Sequence, residues 1–228
     1  MSEVSDDVRA AAPVNGPAGA SVRGRSAPVV TLFESYGSGA AAIGRAVAAA
    51  LGVPFHEQAF SSKQLEESAR QREKEGLLTR MFDAMGDASF GGVDVGDVAS
   101  AQRDRYDLVV QNTAQVEQWA RTGGVIVGRN GAFILADRPG ALHVMLDGPL
   151  EQRIVRAAQE AGISQERAAR RQKNEDRVRA NMSIKLYGWD PRDPARYDLV
   201  VNTGRMDPDT CVEIIVNACR SKSARRVS

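Results

Sequence analysis

Cysteine and histidine are scarce in this chain of 228 residues, with two of each. Cys211 and Cys219 fall in one predicted helix, where eight residues of rise separate them by roughly 12 Å along the axis. A disulfide needs Cα atoms within about 7 Å, so both read as reduced core residues. Neither histidine lies near a cysteine, so no metal-ligand spacing is present and no metal site is assigned. No window approaches 18 consecutive apolar residues, which excludes a membrane helix and leads us to expect a soluble, cytoplasmic protein. The 30 Lys and Arg residues nearly balance 29 Asp and Glu, for a net charge of +1. Without a basic field, no nucleic-acid partner is expected. The opening MSEVSDDVRAAAPVNGPAGASVRGRS also lacks the apolar segment of a signal peptide, and residues 1–27 read as a disordered tail.

What is present is an alternation of short apolar runs and helical stripes. Val29 to Phe33 is a β-branched, apolar run suited to a strand buried on both faces. Ile43, Val47 and Leu51 then recur every four residues and stop at Gly52, as one face of a helix does. Val53 to His56 reads as a second strand, and Gln58 to Arg72 as a polar helix. Between Glu73 and Ser100 the pattern degrades into Gly and Asp, read as a mobile lobe over 73–104; helical patterning resumes from Tyr106 to Arg121. Further strands are expected at Gly124–Gly128, Ala141–Leu146 and Tyr197–Val201. Helices are expected at Leu150–Ala161, from Ser164 (as N-cap) to about Lys185, and after Asp207-Pro208, with Cys211, Ile214, Ile215, Ala218 and Cys219 facing the core. Strands separated by helices imply right-handed crossovers and a parallel sheet covered on both faces. Ligands of such sheets sit beyond the carboxyl ends of the strands. Those ends carry Ser35 to Ala40, Arg129 to Gly131, and Asp147: glycines, an arginine and a carboxylate, a set that suits phosphate.

The stretch PVVTLFESYGSGAAAIGRAV, residues 28–47, joins an apolar run to an Ala-rich helix through a Gly/Ser turn. Backbone N–H groups at a helix N-terminus attract phosphate whatever the side chains are, and Gly37 and Gly39 permit the tight backbone. The phosphate-binding turn is assigned to Gly37, Ser38, Gly39, Ala40, Ala41 and Ala42. A complete loop of this type adds a lysine for the phosphates and a hydroxyl for Mg²⁺, and neither is obvious here. Arg129, between two glycines at a strand end, offers a planar donor fork for phosphate. Asp176 and Arg179 are spaced i,i+3, which by itself describes an ordinary helix surface pair.

Several segments in order resemble the cytidylate kinase-like family: YGSGAAAIGRAVAAALGVPF, VIVGRNGAFIL, LDGPLEQRI with AGISQERA, and LYGWDPRDPARYDLVVNT. The resemblance covers about residues 28–219. It implies an α/β, three-layer P-loop kinase fold over 28–221: a five-stranded parallel sheet with helices on both faces. It also implies a mobile monophosphate-binding lobe and a lid, the lid and following helix at about 157–185; residues 222–228 form a basic, solvated tail. The implied activity is transfer of the γ-phosphoryl of ATP, with Mg²⁺, to a nucleoside monophosphate, CMP or dCMP first. The nucleotide is then the partner, and the oligomeric state is not set.

By the same resemblance Arg129, Asn130, Asp176 and Arg179 bind substrate, with Asn130 standing where relatives carry a carboxylate. Arg153 falls where a lid arginine meets the transferring group, so Arg153 and Arg179 are the catalytic candidates. Aligning Ser38-Gly39 on the family's loop puts Ala42 at the lysine and Gly44 at the hydroxyl; the register Gly39…Gly44-Arg45 would instead offer Arg45. Arg156, Arg170 and Arg171 are other cations near the lid, the last two also readable as a solvated helix face. Asp147 either approaches Mg²⁺ or starts a helix, and Met81, Phe82, Met85 and Phe90 either cover a base or attach the lobe. The missing lysine and hydroxyl keep two further readings open: a catalytically silent nucleotide-binding or regulatory protein, and a kinase of another small molecule.

Overall fold

The computed structural model describes residues 27–59 and 95–224. The readings made for the N-terminal tail, for most of the 58–72 helix, for Met81, Phe82, Met85 and Phe90, and for the last four residues lie outside them, as does most of the 73–104 lobe.

The β-branched run forms β1, Val29–Glu34, whose first four residues are buried on both faces. It leads through a turn into α1, Ala40–Leu51, which ends where Gly52 adopts φ 68° and caps the carbonyls of Ala48 and Ala49. A short β2, Phe55–His56, follows. The long helix α2, Val95–Thr122, begins eleven residues before the patterning at Tyr106 suggests. Then come β3, Gly124–Val127, a single turn α3, Gly131–Ile134, and β4, Ala141–Asp147. Helix α4, Leu150–Ala161, has the bounds its sequence implies. Helix α5, Gln165–Tyr187, starts at the expected cap, where the Ser164 side chain accepts from the Arg167 N–H. A 3₁₀ turn at Pro194–Arg196, β5 at Leu199–Asn202 and α6 at Pro208–Ala224 complete the described chain.

The five strands form one sheet in the order β2-β3-β1-β4-β5, with every pairing parallel. Parallel strands require crossovers, and the helices that make them cover both faces. On one face Val30, Leu32, Val144 and Leu146 pack with Ile43 and Val47 of α1 and with Cys211, Ile215 and Cys219 of α6. On the other, Val29, Ile126 and Ala141 pack with Val116 and Ala120 of α2. Both cysteines are buried and free, as their spacing requires. This is the α/β P-loop kinase architecture. It sets β1 between β3 and β4, with the chain leaving in both directions, so the turn after β1 lies where ligands of open parallel sheets bind.

Close packing also fixes one position in α1. A Cβ on Gly44 would stand 2.7 Å from the Phe55 ring and 3.0 Å from the Leu32 side chain. The helix can lie this near the sheet because no side chain is present there. A hydroxyl at Gly44 would therefore point into the core rather than toward the turn.

Candidate functional site

The turn after β1 is built by two glycines in left-handed conformations, Gly37 at φ 79° and Gly39 at φ 83°. The Ser38 N–H closes it by donating to the Ser35 carbonyl at 3.0 Å. Helix α1 starts immediately, with Gly39 as a cap that has no side-chain hydrogen bond. The first intrahelical bond runs from the Ile43 N–H to the Gly39 carbonyl. The N–H groups of Ala40, Ala41 and Ala42 thus precede any intrahelical acceptor and carry the positive end of the helix dipole. Ser38 is fully buried, and its hydroxyl has no hydrogen-bond partner among the described residues. Because α1 begins at Ala40, Arg45 belongs to its second turn. There it pairs with Glu57 and lies over the Phe55 ring at 5.0 Å, away from the phosphate-binding turn.

Side chains from α4 and α5 grip this turn from behind. Arg153, 8% exposed, donates to the carbonyls of Gly148 at 3.0 Å and Tyr36 at 2.9 Å, and to the Asp176 carboxylate at 3.2 Å. Its Nε also lies 3.5 Å from Asp147. Arg156 donates to the Gly37 carbonyl and the Thr203 hydroxyl, both at 3.0 Å, and to the Thr203 carbonyl at 2.6 Å. Asp176 accepts from the Tyr36 N–H at 2.7 Å and from Gln172 at 2.8 Å. The grip leaves no slack: a Cβ on Gly37 would meet the Arg153 carbonyl at 2.2 Å. Burial first, and then the Glu175 charge, raise the Tyr36 pKa, so its phenol stays neutral beside the turn.

Beside the turn, a cavity of about 260 Å³ opens at the carboxyl ends of β1 and β3, between α2 and α5. Phe33, Leu108, Met182 and Leu186 give it apolar walls, and Glu34, Arg129 and Arg179 reach it as well. Arg179 is clamped by two carboxylates, Glu34 at 2.9 Å and Glu175 at 2.7 Å. Burial disfavours its charge, but Glu34 and then Glu175 outweigh that, and its pKa is raised. Arg129 and Asn130 both adopt positive φ, 54° and 56°, an uncommon pair of left-handed non-glycine residues. The Arg129 Nε donates to the Glu57 carbonyl at 3.0 Å, and its guanidinium lies 4.9 Å over the Trp119 ring. Burial lowers its pKa. His56 stacks on the same indole at 4.2 Å. The Asn130 side-chain oxygen accepts from the Trp189 indole N–H at 2.9 Å. Asn112 donates to the Arg129 carbonyl at 2.9 Å and the Tyr187 hydroxyl at 2.7 Å.

The structure therefore divides the residues singled out in the sequence between two neighbouring places. Gly37 to Ala42, with Arg153 and Asp176, form and brace the turn. Arg129, Asn130 and Arg179 border the cavity. Arg170 stands apart, paired with Glu166 and 66% exposed. The residues that sequence reasoning missed are Glu34, Glu175 and Asn112, together with Gln58, Gln111 and Gln115 on the cavity wall. Only Glu34, at the end of an apolar strand and next to the turn, carried a local signal.

The model of the cytidylate kinase-like family matches residues 29–205. A cytidylate kinase of Methanopyrus kandleri is 26% identical over 196 residues, covering 82% of this chain and 90% of that protein. A uronate isomerase of Corynebacterium glutamicum is 35% identical over 136 residues, 59% of this chain and 26% of that protein. The chain thus spans about a quarter of that relative's length. Among solved structures, an uncharacterized protein from Eubacterium ventriosum aligns with a TM-score of 0.57 at 19% identity, over 86% of this chain and 99% of that one. Identity that low speaks for the fold alone.

Proposed function

We propose, from the premise that this chain belongs to the cytidylate kinase-like family, that it transfers the γ-phosphoryl of ATP to a nucleoside monophosphate, with CMP or dCMP as the first acceptor. The observation that carries this reading is the adjacency of an N–H-lined turn and a 260 Å³ cavity at the end of one strand. Phosphoryl transfer asks mainly for two phosphates held in line and for charge stabilisation, which two adjoining anion sites supply.

The turn fits the phosphates of ATP: it offers unpaired N–H groups at the start of α1 and the orphaned, buried Ser38 hydroxyl. The fit to Mg²⁺ is a lean one. No group of three or more His, Cys, Asp or Glu able to hold a metal occurs among the described residues. Mg²⁺ is commonly held by one or two carboxylates together with substrate phosphates and water, and Asp147 at the end of β4 is the carboxylate available. When bound, the ion would neutralise charge on the phosphates. Arg153 acts from behind the turn, fixing the Tyr36 carbonyl, while Asp176 holds the Tyr36 N–H so that the turn keeps its shape. Arg129 and Asn130 contribute the acceptor side, and Arg179 stands at the boundary between turn and cavity.

A second reading, a catalytically silent nucleotide binder, is favoured by a specific observation. Arg179 is already matched by Glu34 and Glu175, and Arg153 lies beside Asp147 and Asp176, so neither brings net charge to a phosphoryl group. Incubation of the full chain with ATP, Mg²⁺ and a panel of monophosphates, with chromatographic detection of diphosphates and parallel thermal shifts, separates the two. Turnover with CMP that Arg129→Ala largely abolishes supports the kinase. Thermal shifts without turnover support the silent binder, and neither response would remove both.

A further inference from the structure

We propose that the cavity reads the ring of its acceptor through the side-chain amides of Gln58, Gln111 and Gln115, and that it therefore takes cytidine and uridine monophosphates with similar affinity. This rests on the acceptor reading given above. Gln111 and Gln115 are one helical turn apart on α2 and so share a face, and both line the cavity with Gln58. The other polar side chains of the cavity are largely spoken for. Asn112 spends its N–H donors on the Arg129 carbonyl and Tyr187, Asn130 accepts from Trp189, and Glu34 is ion-paired to Arg179. Gln58, Gln111 and Gln115 have no hydrogen-bond partner among the described residues.

The chemistry of the amide decides what such a wall recognises. A carboxamide presents one carbonyl acceptor and one donating NH₂, and half a turn about its last bond exchanges them. Cytosine offers an amino donor beside a ring-nitrogen acceptor; uracil offers a carbonyl acceptor beside a ring N–H donor. The two edges are complementary to the two orientations of one amide. A carboxylate, by contrast, only accepts: it can answer the cytosine amino group or the uracil ring N–H, but it has no donor for the acceptor beside either. Among the described residues Glu34 is the carboxylate lining the cavity, and Arg179 occupies it.

Isothermal titration of the full chain with CMP and with UMP, without ATP, tests the proposal. The expected Kd values for the two agree within about tenfold. Converting the amides to acceptor-only groups, Gln111→Glu with Gln115→Glu, should weaken both ligands by about tenfold or more, since each ring loses the donor that its acceptor needs. Both glutamines are exposed, so the change burdens the fold little. Gln111→Leu with Gln115→Leu should weaken both ligands together. Wild-type preference for CMP beyond about a hundredfold, or affinities unmoved by the Leu pair, overturns the amide proposal while leaving the acceptor reading intact. If the wild type binds neither nucleotide, the acceptor reading has failed and this proposal fails with it.

Discussion

Replacing Arg179 by methionine separates what this residue does for the fold from what it does for a ligand. Its guanidinium is 15% exposed and joins two carboxylates that are 13% and 2% exposed, Glu34 at the end of β1 and Glu175 on α5. The methionine keeps much of the apolar stem but leaves two negative side chains facing each other out of water. Removing one partner of a buried ion pair costs about 3–5 kcal/mol. In a chain of this size that lowers Tm by roughly 6–20 °C, at about 2–4 °C per kcal/mol. The triple variant Glu34→Gln, Glu175→Gln, Arg179→Met removes the repulsion along with the pair and should recover most of the loss. Calorimetry measures both. A drop under 2 °C for the single variant, or a triple variant no more stable than the single, would refute the clamp as a buried, energetically coupled unit. The triple variant then bears on function. If Arg179 also meets a phosphate, the Tm gain given by saturating CMP should shrink in it, although its fold is restored.

Gly37→Ala should cost about 2–5 kcal/mol and erase any thermal shift from ATP, because it forces a Cβ within 2.2 Å of the Arg153 carbonyl at φ 79°. Gly52→Ala, at φ 68° with nothing within 4 Å, is the matched control and should cost only about 1 kcal/mol; equal losses would mean that the clash at Gly37 is relieved elsewhere. Stability should also fall as the pH drops below about 6.5. Burial lowers the pKa of His143, against the charge of Asp198, and burial followed by Arg129 lowers that of His56. The folded chain prefers both rings neutral, so the unfolded chain takes up protons first and stability is lost as the pH falls through 6.5 toward their folded values. Urea midpoints between pH 5 and 8 should show this slope in the wild type and a shallower one in His143→Gln. Asp198, whose pKa is lowered, acts in a separate window near and below 3.8.

Local chemistry made the fold readable. A β-branched run, a stripe every four residues ending in glycine, and a Ser cap each act within a few residues of where they stand, and β1, α1, α4 and the start of α5 follow them. The start of α2 was not legible, because Gly96 and Asp97 are poor helix formers. The left-handed Arg129 was not legible either, since nothing in an arginine signals positive φ. For the site, residue type located the turn and its neighbours, but their partners lie far off in sequence. Asp176 bonds an N–H 140 residues away and Arg179 a carboxylate 145 residues away. Arg153 is harder still, because two of the groups it satisfies are main-chain carbonyls, which every residue has.

The same contacts bear on the missing lysine. Where the family's register would place it, Ala42 is exposed on the first turn of α1, and Gly44 has no room for a hydroxyl because Phe55 and Leu32 fill the space. Arg153 and Arg156 lie against the turn, but they face its carbonyls rather than its N–H groups, and Asp147 and Asp176 answer the charge of Arg153. What the turn offers an anion is therefore mainly main-chain N–H groups and a helix dipole. Such donors accelerate a reaction only where they face oxygens on which charge develops in the transition state. The contribution that a lysine would add falls to a cation not already matched by a carboxylate. Among the residues bordering the cavity, Arg129, held by a carbonyl and an indole face rather than by an acid, meets that description best.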